Sequence, residues 1–377
     1  MKKLLYLFVF AALLACKEDE KEVTEARSEA MNQTDTPKEW LVFEGDASDA
    51  KHIVMISGDE EYRSEEALPQ LAKILSENHG IKSTVLFAQN PENPGIIDAN
   101  YVENIPGLEA LKEADMMLIF TRFRALPDNQ MKLIDDYLMA GKPVMGIRTA
   151  THAFMFPDST ESAYKHYGNY YEGDKKEWAG GFGRAVLGEK WLAHHGHHKH
   201  QSQRGMVFEA AADHPIAKGI EDGDIWGASD VYEVRLPLPG DAEPIIYGQV
   251  MNRKGEYDEA DIHYGMKPSD DEIAKVNNEG KTVNDVNMPI AWTKSYQLPG
   301  GEKGKAFTST VGAANDMLIE GTRRLLINGV FWGLDMEVPE KANVNLVGDY
   351  NPTAFEFRDD AYWDEKQLKV SDFEMQK

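Results

Sequence analysis

Short apolar runs alternate with amphipathic stretches through the first half of this chain. "KHIVMISG" (51–58) is a short apolar run ending in Gly, the pattern of a buried strand, and "IKSTVLF" (81–87), "DMMLIF" (115–120) and "KPVMGI" (142–147) read as the next three strands. Between them "SEEALPQLAKILSENHG" (64–80), "GLEALKEA" (107–114) and "PDNQMKLIDDYLMAG" (127–141) carry helical periodicity. Ser64 is the expected N-cap and Gly80 the stop of the first helix. Strand–helix alternation of this kind predicts an α/β fold, a mainly parallel sheet with helices on both faces. The second half is less regular. "RGMVFEA", "SDVYEVR", "EPIIYGQVM", "MPIAWTK" and "GKAFTSTVG" read as strands, and 316–334 as a final helix. Residues 253–285 are polar and aperiodic and read as a long surface excursion.

The N-terminus has a different character. Lys2 and Lys3 precede an apolar run that ends Leu13-Leu14-Ala15-Cys16. The run is too short for a stable membrane span and has the order of a secretory signal. Its end resembles a bacterial lipobox, so residues 1–15 are expected to be a lipoprotein signal and Cys16 the lipidation site. Residues 16–45 are polar and charged and read as an acidic flexible tether. The folded domain is expected over 46–355, with 356–377 as a C-terminal extension. Location is therefore expected to be extracytoplasmic, on a bacterial membrane.

Cys16 is the only cysteine, so the mature chain can form no internal disulfide and has no free thiol nucleophile. The formal charge of −24 becomes −26 once Lys2 and Lys3 are removed. Such a chain repels nucleic acid and anionic headgroups. A lipid is then its expected attachment to a membrane, and nucleic acid is not an expected partner. Nothing in the sequence sets an oligomeric state.

In a parallel α/β sheet, ligands bind beyond the carboxyl ends of the strands. Those ends carry Asp59, Glu60, Glu61, Tyr62 and Arg63, then Arg122 and Arg124, then Arg148, Thr149, Thr151 and His152. Glu60, Glu65 and Glu66 read as solvated. Arg148 follows apolar "PVMGI" directly, so it needs a partner such as a carboxylate, which Glu61 or Asp59 could provide. Glu61, Arg148 and His152 are the expected catalytic groups, joined by His197.

Five of eleven histidines crowd into "HHGHHKH": His194, His195, His197, His198 and His200. Three readings are open. His194, His197 and His198 could hold a divalent metal such as zinc. The loop could instead line a cleft and bind a sugar, one imidazole serving as acid or base. Or it is a solvated run. Tyr62, Trp226 and Asp230, with Arg122, Arg124 and His198, are the expected substrate contacts.

Taken in order, "HIVMISGDEEYRSEEALPQLAKIL", "FTRFRALPDNQ", "PVMGIRTATHAF", "HHGHH", "DIWGASDVYEV", "MPIAWTKSY" and "EGTRRLLINGVFWGL" resemble the trehalose-utilisation (ThuA-like) domain over about residues 50–355. The resemblance implies a flavodoxin-like sandwich of the class I glutamine amidotransferase kind, with a sharp elbow after the fourth strand of the alternating series. In amidotransferases that elbow is Gly-x-Cys. Here it is Gly146-Ile147-Arg148, which also departs from the Gly-Ile-His-Gly of trehalose-utilisation proteins. Arginine stays protonated and cannot attack an acyl carbon, so cysteine-dependent glutaminase chemistry is excluded. The resemblance further implies carbohydrate processing, as a hydrolase or lyase of a glycoside or keto-modified disaccharide. The alternative is a non-catalytic surface protein that binds a glycan or scaffolds a partner.

Overall fold

Ile53 and Met55 of the first long apolar run pack toward one face of a sheet, Val54 and Ile56 toward the other. That two-sided burial is why the run shows no polar alternation. A computed structural model describes residues 37–375. The expected signal segment and Cys16 lie outside the described residues. Among the described residues no helix is long and apolar enough to cross a membrane.

The sheet has eleven strands: β1 (Trp40–Phe43), β2 (His52–Gly58), β3 (Lys82–Phe87), β4 (Met116–Thr121), β5 (Val144–Ile147), β6 (Gln201–Val207), β7 (Trp226–Gly227), β8 (Glu243–Asn252), β9 (Glu272–Ile273), β10 (Met288–Gln297) and β11 (Lys303–Ser309). The order is β1-β3-β2-β4-β5-β11-β10-β8-β6-β7, with β9 on β8. The core run β3-β2-β4-β5-β11 is parallel, and every other pairing is antiparallel. The fold is thus an α/β flavodoxin-like sandwich, parallel at its core and extended by an antiparallel second half.

Helices α1 (Ser64–His79), α2 (Asp128–Met139), α3 (Glu320–Gly333) and α4 (Asp360–Lys366) complete the described elements of regular length. Leu68, Leu71 and Leu75 of α1 and Leu326 and Val330 of α3 cover one sheet face. Met131, Ile134 and Leu138 of α2 cover the other. Gly80 ends α1 with φ 64°, and Ile81 N–H returns to Leu75 O at 3.0 Å, a Schellman stop.

Several expectations change. Ser64 is not the N-cap. Arg63 holds that place at φ 60°, and the Ser64 hydroxyl bonds Ser57 Oγ and the Asp59 N–H, pinning the strand-to-helix turn. The tether does not extend to 45, because Trp40-Leu41-Val42-Phe43 buries Leu41 and Phe43 as β1. "SDVYEVR" is not a strand beyond one bridge, His194 to Tyr232, since its buried polar groups bond side chains instead of a ladder. Residues 253–285 hold the two-residue β9, one isolated bridge between Val276 and Thr282, and turns. The C-terminal extension packs on the domain: Trp363 and Val370 are buried, and the described residues from Lys38 onward form one compact unit.

Candidate functional site

Because β2, β4, β5 and β11 run parallel, residues 59–63, 122–124, 148–152 and 310–316 leave the sheet at one edge. The elbow after β5 is tight. Arg148 takes φ 48°, a region L-residues enter at a cost. Gly146 just before it has no room for a side chain, since a Cβ would lie 2.5 Å from Leu187 Cδ1.

The strain at Arg148 is met by its contacts. Its guanidinium is fully buried and lies between the rings of Tyr62 (4.3 Å) and Tyr232 (3.9 Å). Nη1 donates to the backbone oxygens of Asp230 (2.7 Å) and Thr310 (2.6 Å), and Nη2 to Tyr62 Oη (3.0 Å) and Asp230 Oδ1 (3.2 Å). The needed carboxylate is therefore Asp230, not Asp59 or Glu61. Asp59 instead binds the Glu61 and Tyr62 N–H groups and the Thr149 hydroxyl, fixing the loop after β2. Arg148 holds Asp230 in place and offers those donors to the protein, which moves it from the expected catalytic groups to a positioning role.

Asp230 is the hub. It is fully buried, which alone would raise its pKa. The His194 and His198 contacts and the Arg148 charge outweigh burial and hold it well below the usual carboxylate range. His194 Nδ1 lies 2.8 Å from Asp230 Oδ2, and His198 Nδ1 lies 3.1 Å from Oδ1. His198 Nε2 is also 3.2 Å from Glu61 Oε1. With a carboxylate at each ring nitrogen, His198 is built to be an imidazolium. Burial lowers its pKa, but the bonds to Asp230 and Glu61 prevail and raise it to about 9. His152 is the opposite case. Burial, then the charges of Arg122 and Arg148, push its pKa well below 6.5, so it is neutral. Two imidazoles in one site are thus set to different protonation states, the mark of assigned acid–base roles.

A pocket of about 150 Å³ opens over this network, lined by Glu61, Arg122, His152, Trp191, His194, His198, Tyr232 and Phe357. The loop after β2, the loop after β4, the elbow and the histidine stretch therefore converge. Of the expected site residues, Glu61, Arg122, His152, His194 and His198 line the pocket, and Asp230 lies beneath the histidines. The rest do not. Arg124 is buried and donates to Glu60 and to the backbone of Ala99 and Arg122. Tyr62 is buried against Arg148 and Phe355, and Trp226 is buried in the core. His197 stacks on His200 at 4.1 Å outside the pocket. Glu60 is not solvated, since it pairs with Arg122 and Arg124; Glu65 is buried beside Arg63 at 3.6 Å. Glu66 is held by Thr353.

The expected metal set fails at His197. The nearest alternative is His194, His198 and Asp230, whose ligand atoms lie within 4.8 Å of one another. That set suits shared protons better than a divalent ion. Arg148 already neutralises the carboxylate, and the N···O distances of 2.8 and 3.1 Å are those of charge-assisted hydrogen bonds.

Phe357 and Phe123 were not expected here. Arg122 lies between their rings, 4.8 Å and 4.5 Å away. Phe357 comes from the C-terminal extension, and nothing local in "AFEFRD" points to a pocket nearly three hundred residues upstream.

The His198 arrangement carries a pH signature. Folded His198 keeps its proton to about pH 9, whereas an ordinary histidine loses it near 6.5. Its stabilising contribution is full below 6.5 and is lost as pH rises through about 9. Urea unfolding from pH 6 to 9.5 should show stability falling across that window, with the fall largely absent in His198→Gln. Equal slopes for both proteins would remove the charged His198 from the account.

No family model matches this chain, and no curated protein matches it. Among solved structures, a ThuA-like protein from Bacteroides uniformis is 14% identical, with TM-score 0.42, covering 76% of this chain and 93% of that one. A ThuA-like protein from Parabacteroides merdae is also 14% identical, with TM-score 0.42, covering 82% and 98%. A cytoplasmic protein from Salmonella typhimurium is 12% identical, with TM-score 0.33, covering 74% and 98%. None of these descriptions names an activity.

Proposed function

We propose that the pocket is a general acid–base site acting on a carbohydrate, and that the reaction is elimination from a keto-modified glycoside. The observation that carries this is the His194–Asp230 pair. Nδ1–H of His194 donates to a buried, Arg148-held carboxylate, which fixes the tautomer and leaves Nε2 as the base available to the pocket. His194 is about one-third exposed, enough to meet a ligand.

The carboxylates separate elimination from direct hydrolysis. Glycoside hydrolysis ordinarily needs two carboxyl groups flanking the bond. Here Glu61 is, among the described residues, the only carboxylate that lines the pocket, with Asp230 sealed behind the histidines. A keto-glycoside needs only one base. His194 Nε2 would take the proton from the carbon between the carbonyl and the glycosidic carbon. The electron pair forms a C=C bond as the glycosidic C–O bond breaks, and the imidazolium returns the proton to the departing oxygen. Neutral His152 is placed to hydrogen-bond the carbonyl oxygen as it gains negative charge, beside the positive charge of His198. The rings of Trp191, Tyr232 and Phe357 give apolar faces for sugar C–H groups. The test is release of nitrophenol from a 3-keto nitrophenyl glycoside. Turnover by the wild type supports the reading. Binding without turnover favours a glycan-binding surface protein instead.

We also propose that Cys16 carries a lipid that attaches the chain to an extracytoplasmic membrane face. Cys16→Ser should move the protein to the soluble extracytoplasmic fraction. A variant that survives repeated membrane washing in the pellet contradicts the anchor.

A further inference from the structure

A second cleft, of about 640 Å³, lies between α1 and the C-terminal segment, and shares no lining residue with the acid–base pocket. Three of its lining residues hold buried polar atoms that have no hydrogen-bond partner among the described residues: Glu65 Oε2, Gln70 Nε2 and Trp363 Nε1. These side chains belong to residues only 2%, 3% and 3% exposed. Each such atom is costly to leave unpaired, and three beside one cleft call for a partner. Glu66 in the same cleft shows the usual outcome, since Thr353 N and Oγ1 satisfy its carboxylate at 2.7 and 2.9 Å.

The unpaired set mixes polarity. The carboxylate oxygen needs a donor, while the amide and indole N–H groups need acceptors. A simple cation would satisfy only Glu65. An anion would satisfy only the two N–H groups, and it would meet six carboxyl side chains against two lysines around the cleft. A hydroxyl both donates and accepts, so a polyhydroxylated ligand is the chemical class that matches all three atoms. Tyr350, Tyr362, Trp363 and Phe373 also line the cleft, as rings against which sugar C–H faces pack. The volume is within the ordinary range for ligand sites and exceeds that of the acid–base pocket about fourfold.

We propose that this cleft binds a neutral, hydroxyl-rich ligand of oligosaccharide size, separately from the acid–base pocket. The site would hold a glycan while the pocket acts on, or waits for, one sugar ring. It stands whether or not the pocket is catalytic.

Calorimetric titration of the folded protein with maltotetraose, cellotetraose and mannotetraose tests this. At least one should bind saturably, with Kd on the order of millimolar or tighter. Trp363→Phe keeps an aromatic ring while removing the pyrrole half of the indole with its N–H, and Gln70→Leu removes the amide. Each should weaken binding about fivefold or more, the worth of one hydrogen bond. Half-buried Tyr362→Ala is a third cleft variant that spares the core. Thermal melts establish that each variant is folded. His194→Ala should leave this binding unchanged. The proposal is overturned if none of the three glycans binds saturably. It is equally overturned if His194→Ala abolishes binding while the cleft variants retain it, or if 1,4-diaminobutane displaces the glycan as a tighter ligand.

Discussion

Asp230→Ala should destabilise the protein by about 3–5 kcal/mol, the cost of stripping a buried cation of its carboxylate. Arg148 would be left fully buried between Tyr62 and Tyr232, keeping two backbone acceptors but no counter-charge. His198 would lose one of the two carboxylates that hold it protonated, and His194 the group that sets its tautomer. Arg148→Met should be damaging for the mirror reason, leaving Asp230 buried beside the two imidazoles. The double variant should cost clearly less than the two single changes added together, because each single change strands a charge and the double strands none. Chemical denaturation of the four proteins measures this directly. Additive losses would mean that Arg148 and Asp230 do not act as one unit.

His194→Gln should behave in the opposite way, leaving the fold intact and removing the chemistry. The side chain is partly exposed and donates one hydrogen bond that glutamine can imitate. Stability should stay within about 1 kcal/mol of wild type. Turnover of the keto-glycoside should fall about 10²–10⁴-fold, the usual worth of a positioned general base. The loss should appear in kcat, with KM little changed, because the group is needed for proton transfer. Asp230→Asn should give a similar kinetic loss with a smaller stability cost, since the amide keeps shape but not charge. A His194→Gln variant with full turnover would assign the proton transfer elsewhere.

The parallel core was legible because strands buried on both faces write themselves as largely apolar runs, as β2, β4 and β5 do, while β3 opens with Lys82-Ser83-Thr84 and shows the pattern only in Val85-Leu86-Phe87. The second half was less legible. Ser229, Asp230 and Val231 are fully buried, yet their segment forms only one bridge, so an apolar–polar rhythm there recorded side-chain partners rather than a strand. The site was half readable. Strand ends and clustered imidazoles pointed to the sheet edge where the pocket opens, and an arginine after "PVMGI" announced a buried ion pair. Its partner could not be read, because Asp230 lies far along the chain. Glu60 and Glu65 looked solvated for the same reason: the arginines that hold them are visible only once the loops meet. Phe357 and β1 came from segments whose composition suggested tails. Four apolar residues in an acidic stretch were enough to join a sheet edge, and one aromatic ring was enough to close a pocket.

The central claim is that His194 is a base whose tautomer Asp230 dictates. It can be tested without knowing the substrate. Nitrogen-15 NMR of imidazole-labelled protein reports which ring nitrogen of neutral His194 carries hydrogen, with His194→Gln supplying the assignment. The account predicts hydrogen on Nδ1 and a free lone pair on Nε2, with the Nδ1 signal shifted in Asp230→Asn. Hydrogen on Nε2 in the wild type, unaffected by Asp230→Asn, would contradict it.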